Sequence, residues 1–399
     1  MTDLRDRLRD LDSLDVPDVM QQARRLGPKP PMEQGHPARP ARRIAIAAFA
    51  LLLAATSVLY VTRAFDRGEA PVPAVQTPAP PLKCRWTTTD LGLKVGHREA
   101  ARLVAGSSMS DLWVVASRNP WIDQYLLHND GQGWNEVPLP KDLARFYSGD
   151  MVANAPNDVW LLAPHGVARF DGRDWIRSDF PGLEGAGPGE VEFLDLEVTA
   201  PDDAWVTGNL YDRATETWSP AILHWDGSAW DWSYRGSTDA DAPSRLVAVS
   251  AWGPNDVWAA GIEGGRHPGP VTLHWDGTAW TTRPVHGPGV QTAPIDSFGL
   301  AAIGPDDALM TVDRGVVRWD GGRWLDTGFE APTSQDVPVA MEQGSSGVWA
   351  KVWNTGAARW NGETWQQESL GSLYSYGMTV IDGTAVFVGA GPRAEAIEC

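Results

Sequence analysis

Residues 254–280 read PNDVWAAGIEGGRHPGPVTLHWDGTAW, and both motifs that decide the fold lie in this stretch. Pro254-Asn255-Asp256 suits a tight turn, because proline presets φ and Asn or Asp side chains bond nearby backbone amides. The apolar run Val257–Ala260 that follows reads as a strand anchored by Trp258. Further on, Asp276-Gly277 sits between apolar and aromatic residues. That is the strongest short-range hairpin signal, since glycine accepts positive φ without a Cβ penalty. One such period supplies about four short strands, a to d, with an a–b turn at Pro-Asn-Asp and a c–d turn at Asp-Gly.

Working outward, the turn-plus-strand motif recurs as SMSDLW ending at Trp113, APNDVW at Trp160, APDDAW at Trp205 and GPNDVW at Trp258. Degenerate copies are GPDDAL at Leu309, GSSGVW at Trp349 and IDGTAVF at Phe387; the spacing between successive anchors runs from 38 to 53 residues. The hairpin motif ends at Trp134, Trp175, Trp230, Trp280, Trp324 and Trp365. Four-stranded periods of roughly 40–50 residues are β-propeller blades. The strand-b Trp and the Trp opening strand d are expected to fill the space between adjacent sheets. Six complete periods run from about residue 98 to 370, and residues 371–399 supply a seventh that stops without its d-strand. KCRWTTTDLGL at the N-terminal side places Trp86 where Trp230 and Trp280 stand elsewhere, so an N-terminal strand is expected to complete the last blade. In that register Cys84 and Cys399 fall close enough to form a disulfide, which requires an oxidising compartment.

The combined pattern resembles the Trp-rich NDVW…HWDGxxW repeats of bacterial surface proteins, over roughly residues 84–399. The resemblance implies a propeller and leaves function open.

Ahead of the repeats, Ile44–Val61 is an uncharged apolar run of 18 residues. As a helix it reaches about 27 Å, enough to cross the hydrocarbon core of a bilayer. The sequence therefore predicts a cytoplasmic tail over 1–43, partly helical or disordered, and a transmembrane signal anchor over 44–62. A Pro/Ala-rich linker over 63–83 and a seven-bladed propeller over 84–399 follow. Arg39, Arg42 and Arg43 before the span, with Arg24, Arg25 and Lys29, favour a cytoplasmic N-terminus and an extracytoplasmic propeller at the cell membrane. From residue 66 onward there are 23 basic and 44 acidic side chains, net −21. A surface that acidic repels polyanions, so a nucleic-acid partner is not expected.

No G-x-S-x-G, H-E-x-x-H or phosphate loop occurs, so neither a catalytic residue, a metal site nor a cofactor is expected. His128, His224 and His274 share one repeated slot with Arg169, Arg318 and Arg359, which reads as structural, a stack on a neighbouring Trp. The pairs Asp202/Asp203 and Asp306/Asp307 read as turn caps. In a propeller the a–b and c–d turns share one face, and the b–c and d–a loops share the other. The first set is short and uniform here; the second varies, and variable loops on a rigid scaffold are where binding resides. Trp121, Tyr211, Arg213, Trp218, Arg266 and His267 depart from the repeat on these loops and are the candidate ligand-binding residues.

The expected function is therefore a membrane-anchored binding or interaction propeller, not an enzyme, with a protein or glycan ligand on the variable-loop face. An enzyme acting on glycans, or a sensor whose cytoplasmic tail engages a partner, are the alternatives.

Overall fold

The computed structural model describes residues 84–92, 100–119, 122–139, 149–187, 189–236, 243–263, 269–285, 298–313, 315–331, 338–353, 356–369 and 375–398. All belong to the unit Pro80–Cys399. The tail 1–43, the span 44–62 and the linker 63–83 lie outside the described residues, as do Trp121, Arg266, His267 and Cys399. Among the described residues no helix is long and apolar enough to cross a membrane.

The first strand, β1 (Arg85–Asp90), precedes the first full blade. Blade 1 is β2 (Ala100–Ser108), β3 (Asp111–Asn119), β4 (Ile122–Asn129) and β5 (Trp134–Val137). Blade 2 is β6 (Met151–Ala155), β7 (Asp158–Ala163), β8 (Gly166–Phe170) and β9 (Trp175–Asp179). Blade 3 is β10 (Val191–Ala200), β11 (Asp203–Asp212), β12 (Thr217–Trp225) and β13 (Trp230–Arg235). Blade 4 is β14 (Pro243–Gly253), β15 (Asp256–Glu263), β16 (Pro270–Trp275) and β17 (Trp280–Pro284). Blade 5 is β18 (Leu300–Gly304), β19 (Asp307–Val312), β20 (Gly315–Trp319) and β21 (Trp324–Asp326). Blade 6 is β22 (Pro338–Gly344), β23 (Gly347–Val352), β24 (Gly356–Trp360) and β25 (Trp365–Ser369). Blade 7 is β26 (Ser375–Ile381), β27 (Thr384–Gly389) and β28 (Arg393–Glu398), with β1 on its outer edge.

Each blade is a four-stranded sheet in which neighbouring strands run antiparallel. The innermost strands β2, β6, β10, β14, β18, β22 and β26 pack in cyclic order, and β26 meets β2 again. β1 closes blade 7 as the repeat predicts. Trp86 lies opposite Ile397, the position in which Trp230 lies opposite Trp225 in blade 3.

The core is divided among the seams between blades. At the seam of blades 1 and 2, Trp113, Val115 and Leu126 pack with Met151, Val159 and Leu161. At the closing seam, Val104, Val114 and Ala116 of blade 1 meet Ile381, Val386 and Val388 of blade 7. The strand-b Trp is the anchor at these seams: Trp113, Trp160, Trp205, Trp258 and Trp349 are all at most 1% exposed. Trp205 meets Trp280 of the next blade at 5.7 Å between ring centroids, and Trp258 meets Trp324 at 5.9 Å, both edge-on. Edge-to-face pairs of this kind add roughly 0.5–1.5 kcal/mol beyond the area they bury. Leu309 fills the same slot in blade 5. In blade 7 the register gives the slot to Val386, which faces blade 1; Phe387, the anchor expected from the sequence, stands one residue further on and packs against Trp349 and Ala357 of blade 6.

Glycine at the c–d hairpin is required by geometry: Gly172, Gly227, Gly277 and Gly321 have φ between 87° and 94°. The preceding aspartate holds the turn. Asp226 Oδ1 accepts from the backbone N–H of Ser228 (2.8 Å) and Ala229 (2.9 Å), and from the Ser228 hydroxyl (2.7 Å). The bonds from Ser228 and Ala229 pull the Asp226 carboxyl down to about 2.

Candidate functional site

The repeated His/Arg slot is structural, and the way it is held explains the acidic a–b turn. His128 stacks on Trp113 at 3.8 Å and its Nε2 bonds Asp111 Oδ1 at 2.7 Å. His224 does the same with Trp205 (4.0 Å) and Asp203 (2.6 Å), and His274 with Trp258 (4.2 Å) and Asp256 (2.9 Å). Where the slot holds arginine, Arg169 Nε donates to Asp158 (2.6 Å) over the Trp160 ring, and Arg318 donates to both oxygens of Asp307. The last aspartate of the turn thus does more than cap it: it fixes the ring or guanidinium that covers the Trp. Burial works to raise the Asp203 carboxyl, but bonds from His224 and Thr199 outweigh it and leave the group below the ordinary range.

Blade 6 breaks this pattern. Gly347 replaces the aspartate, and Arg359, 6% exposed, donates only from Nη2 to the Ser346 carbonyl. Among the described residues its Nε and Nη1 have no partner.

The variable-loop face is most fully described at blade 3. There the b–c hairpin is the longest among the described residues: β11 has 10 residues and β12 has 9, against 9 and 8 in blade 1 and 6 and 5 in blade 2. At its tip Asp212 Oδ1 accepts from the Ala214 N–H (2.7 Å), and Glu216 turns the chain with φ 55°. Tyr211 and Trp218 lie opposite one another in register, with ring centroids 5.2 Å apart. Arg245, at the start of β14 in the next blade, lays its guanidinium over Trp218 at 4.2 Å and pairs with Glu192 at 2.7 Å. Arg213 pairs with Glu190, which belongs to the connection entering blade 3; the Glu190 carbonyl accepts the Tyr211 N–H at 2.8 Å. The d–a connection and the b–c hairpin are therefore sewn together on one face. Tyr211 and Trp218 remain half-buried and Arg213 exposed, so their outer surfaces are open to a ligand.

Of the predicted site residues, the structure brings Tyr211, Trp218 and Arg213 into one cluster. Sequence reading missed Arg245, Glu192 and Glu190. They sit at or just before the starts of innermost strands, where the repeat shows no departure; only a three-dimensional neighbour identifies them. Among the described residues no group of three or more His, Cys, Asp or Glu is placed to hold a metal ion.

The inner wall carries an acidic set that the repeat does not announce. Glu197, Ser250 and Glu342 each lie opposite a strand-b Trp, and Asp150 and Asp195 share a slot one step nearer the other mouth. They reach across the seams to the next innermost strand. Asp150 Oδ2 accepts the Leu196 N–H (3.1 Å), Asp195 Oδ2 the Val249 N–H (2.7 Å), and Glu342 Oε2 the Val380 N–H (2.8 Å). The innermost strand of a blade has an open edge, and these carboxylates satisfy donors that would otherwise lack a partner. Enclosure by the blades, with repulsion from Asp195 and Glu342, pushes the Glu197 carboxyl up to about 8; enclosure likewise pushes Glu342 up to about 7.

No family model matches the chain and no curated protein matches it. Solved structures do. Virginiamycin B lyase from Staphylococcus aureus superposes with a TM-score of 0.55 at 12% identity, covering 79% of this chain and 100% of the lyase. YCF48 bound to D1 peptide gives 0.52 at 14% identity, covering 79% and 97%. YCF48 from Cyanidioschyzon merolae gives 0.51 at 16% identity, covering 78% and 98%. Likeness at such identity carries the propeller fold and nothing about function.

Proposed function

We propose that the chain is a membrane-anchored, extracytoplasmic binding propeller. Its ligand would be a peptide or glycan taken on the variable-loop face at blades 3 and 4. The observation that carries this reading is the cluster of Tyr211, Trp218 and Arg245. It is an aromatic pair with a guanidinium, braced from two blades and half open to solvent. Rigid aromatics and arginine lose little conformational freedom on binding and dominate interface energetics. One fold neighbour was solved with a bound peptide, so this architecture can present such a surface. Another is a lyase, so the fold alone does not decide between binding and catalysis.

Two further supports concern where the propeller stands. β1 begins at the c–d turn end of blade 7, so the described chain enters the ring on the short-turn face. Arg85 pairs with Glu398 in the β1–β28 ladder, and Cys84 and Cys399 are their immediate neighbours in the sequence. We propose a disulfide there, formed in an oxidising compartment outside the cytoplasm; in the chain-entropy model closing so long a loop contributes roughly 3–5 kcal/mol.

Arrays of peptides and of glycans, screened with the intact protein, test the reading. A hit should lose at least about tenfold in affinity in Trp218→Ala and in Tyr211→Ala, the loss characteristic of an interface hot spot. Thermal stability should change little in either variant. A hit whose affinity is untouched by both substitutions would remove blades 3 and 4 as the site.

A further inference from the structure

The outermost strand of each blade has an edge that no strand among the described residues covers, and six of the seven edges are blunted. β5 has four residues with Glu136 among them, and Pro138 follows. β9 carries Arg177 at its centre, and β13 is bulged where it faces Ile222 and Leu223. β17 ends in Arg283 and Pro284, β21 has three residues, and β25 carries Glu368. Interior charges, prolines, bulges and short length are the devices that keep an exposed edge from pairing. β1 has none of them. Its six residues pair with β28 in unbroken register, and its charges, Arg85 and Asp90, stand only at the two ends. Thr87, Thr88 and Thr89 are exposed, uncharged and β-branched, a residue type that strands favour.

We propose that β1 is a strand-addition site, a second docking surface on the rim of blade 7 that takes an extended peptide. Alternate residues of an edge strand turn their backbone N–H and C=O outward, where a guest strand completes them. An antiparallel guest continues the order of the blade. The charged end rungs specify it further. Arg85 stands opposite Glu398, paired at 2.9 Å, and Asp90 stands opposite Arg393. Arg85 and Glu398 are both largely exposed, so their pair is weak and leaves the guanidinium able to take a second carboxylate. A guest that extends this alternation of charge places an acid opposite Arg85 and a base opposite Asp90. Read from its N-terminus, a guest as long as β1 begins with a base, continues with uncharged β-branched residues, and ends with an acid. A second copy of this chain does not meet that requirement. Opposite residues of an antiparallel pair share a face, whereas Arg85 and Asp90, an odd number of positions apart, lie on different faces. In a two-fold pairing of β1 with itself they therefore never meet, and both charged ends stay uncompensated.

The test uses the full-length protein in detergent and two capped peptides, Lys-Val-Thr-Val-Thr-Glu and Glu-Val-Thr-Val-Thr-Glu. Amide hydrogen exchange is followed in the wild type and in Asp90→Lys, a substitution at an exposed position. At millimolar concentration the first peptide should slow exchange in β1 of the wild type and leave β13 and β17 unchanged. The concentration that gives half of this protection should rise at least about fivefold in Asp90→Lys, where two like charges stand opposite one another. The second peptide should show the reverse preference, protecting Asp90→Lys better than the wild type. Damage to the fold weakens both peptides alike and does not reverse a preference. Absence of β1 protection by either peptide, or equal protection in the two proteins, would overturn the proposal. Protection of β1 that grows with protein concentration when no peptide is present would give the edge to a second copy, and would overturn the peptide guest.

Discussion

Trp258→Ala is expected to destabilise the propeller by about 3–5 kcal/mol, the range for truncating a large buried aromatic. The side chain is fully buried and meets Trp319 at 6.0 Å and Trp324 at 5.9 Å across the seam of blades 4 and 5. Its loss leaves a cavity that rigid sheets on both sides cannot collapse to fill, and removes the ring on which His274 stacks. Denaturant unfolding measures the cost. Trp218→Ala serves as the control: it is half-buried on the loop face, and its loss should fall well short of that figure. Equal costs at the two positions would mean that the seams do not carry the stability of the ring.

The second large effect is a contrast within one slot. Arg169→Leu should destabilise by about 2–3 kcal/mol, because it leaves the buried Asp158 carboxylate without its guanidinium. The cost stays below that of a fully orphaned charge, since Trp160 Nε1 still donates to Asp158 at 2.8 Å. Arg359→Leu should be neutral or stabilising by up to about 2 kcal/mol, because no carboxylate among the described residues opposes Arg359 and burial disfavours its charge. Supplying the absent partner by Gly347→Asp should fail. A Cβ there would stand 2.1 Å from the Trp360 carbonyl oxygen, at a φ of 126° that side chains rarely adopt. Urea midpoints of the two leucine variants settle the comparison; the same loss in both would mean that the turn aspartate contributes nothing.

The ring is legible in the sequence because each blade states its turns locally. Asp-Gly at 276–277 needs positive φ, and Trp258 needs a buried slot, whatever surrounds them. The closure by Trp86 is legible for the same reason: it matches Trp230 in its neighbours along the chain. What the sequence does not disclose are contacts between blades. Arg245 over Trp218, and Arg245 with Glu192, join residues 27 and 53 positions apart. Neither pair repeats around the ring, so periodicity carries no trace of them. The slot shared by histidine and arginine reads as structural from its recurrence alone, but its aspartate partner reads only as a turn cap. The bond from Asp203 to His224 spans a whole strand pair and becomes visible only with the register.

The loop face divides in the same way. Tyr211 and Trp218 stand out because they depart from the repeat, and a hairpin register brings them together. Trp121, Arg266 and His267 stand out equally, and lie outside the described residues. Their part in the ligand surface is a proposal on the same footing as the ligand itself.

The most direct measurement is peptide mapping under non-reducing conditions, on protein taken from its native membrane with thiols blocked at lysis. The proposal of an exported, anchored propeller predicts one peptide pair joined through Cys84 and Cys399, released by reductant. Two blocked free thiols, with the β1–β28 ladder intact, would contradict the exported location and leave the closed ring on the other side of the membrane.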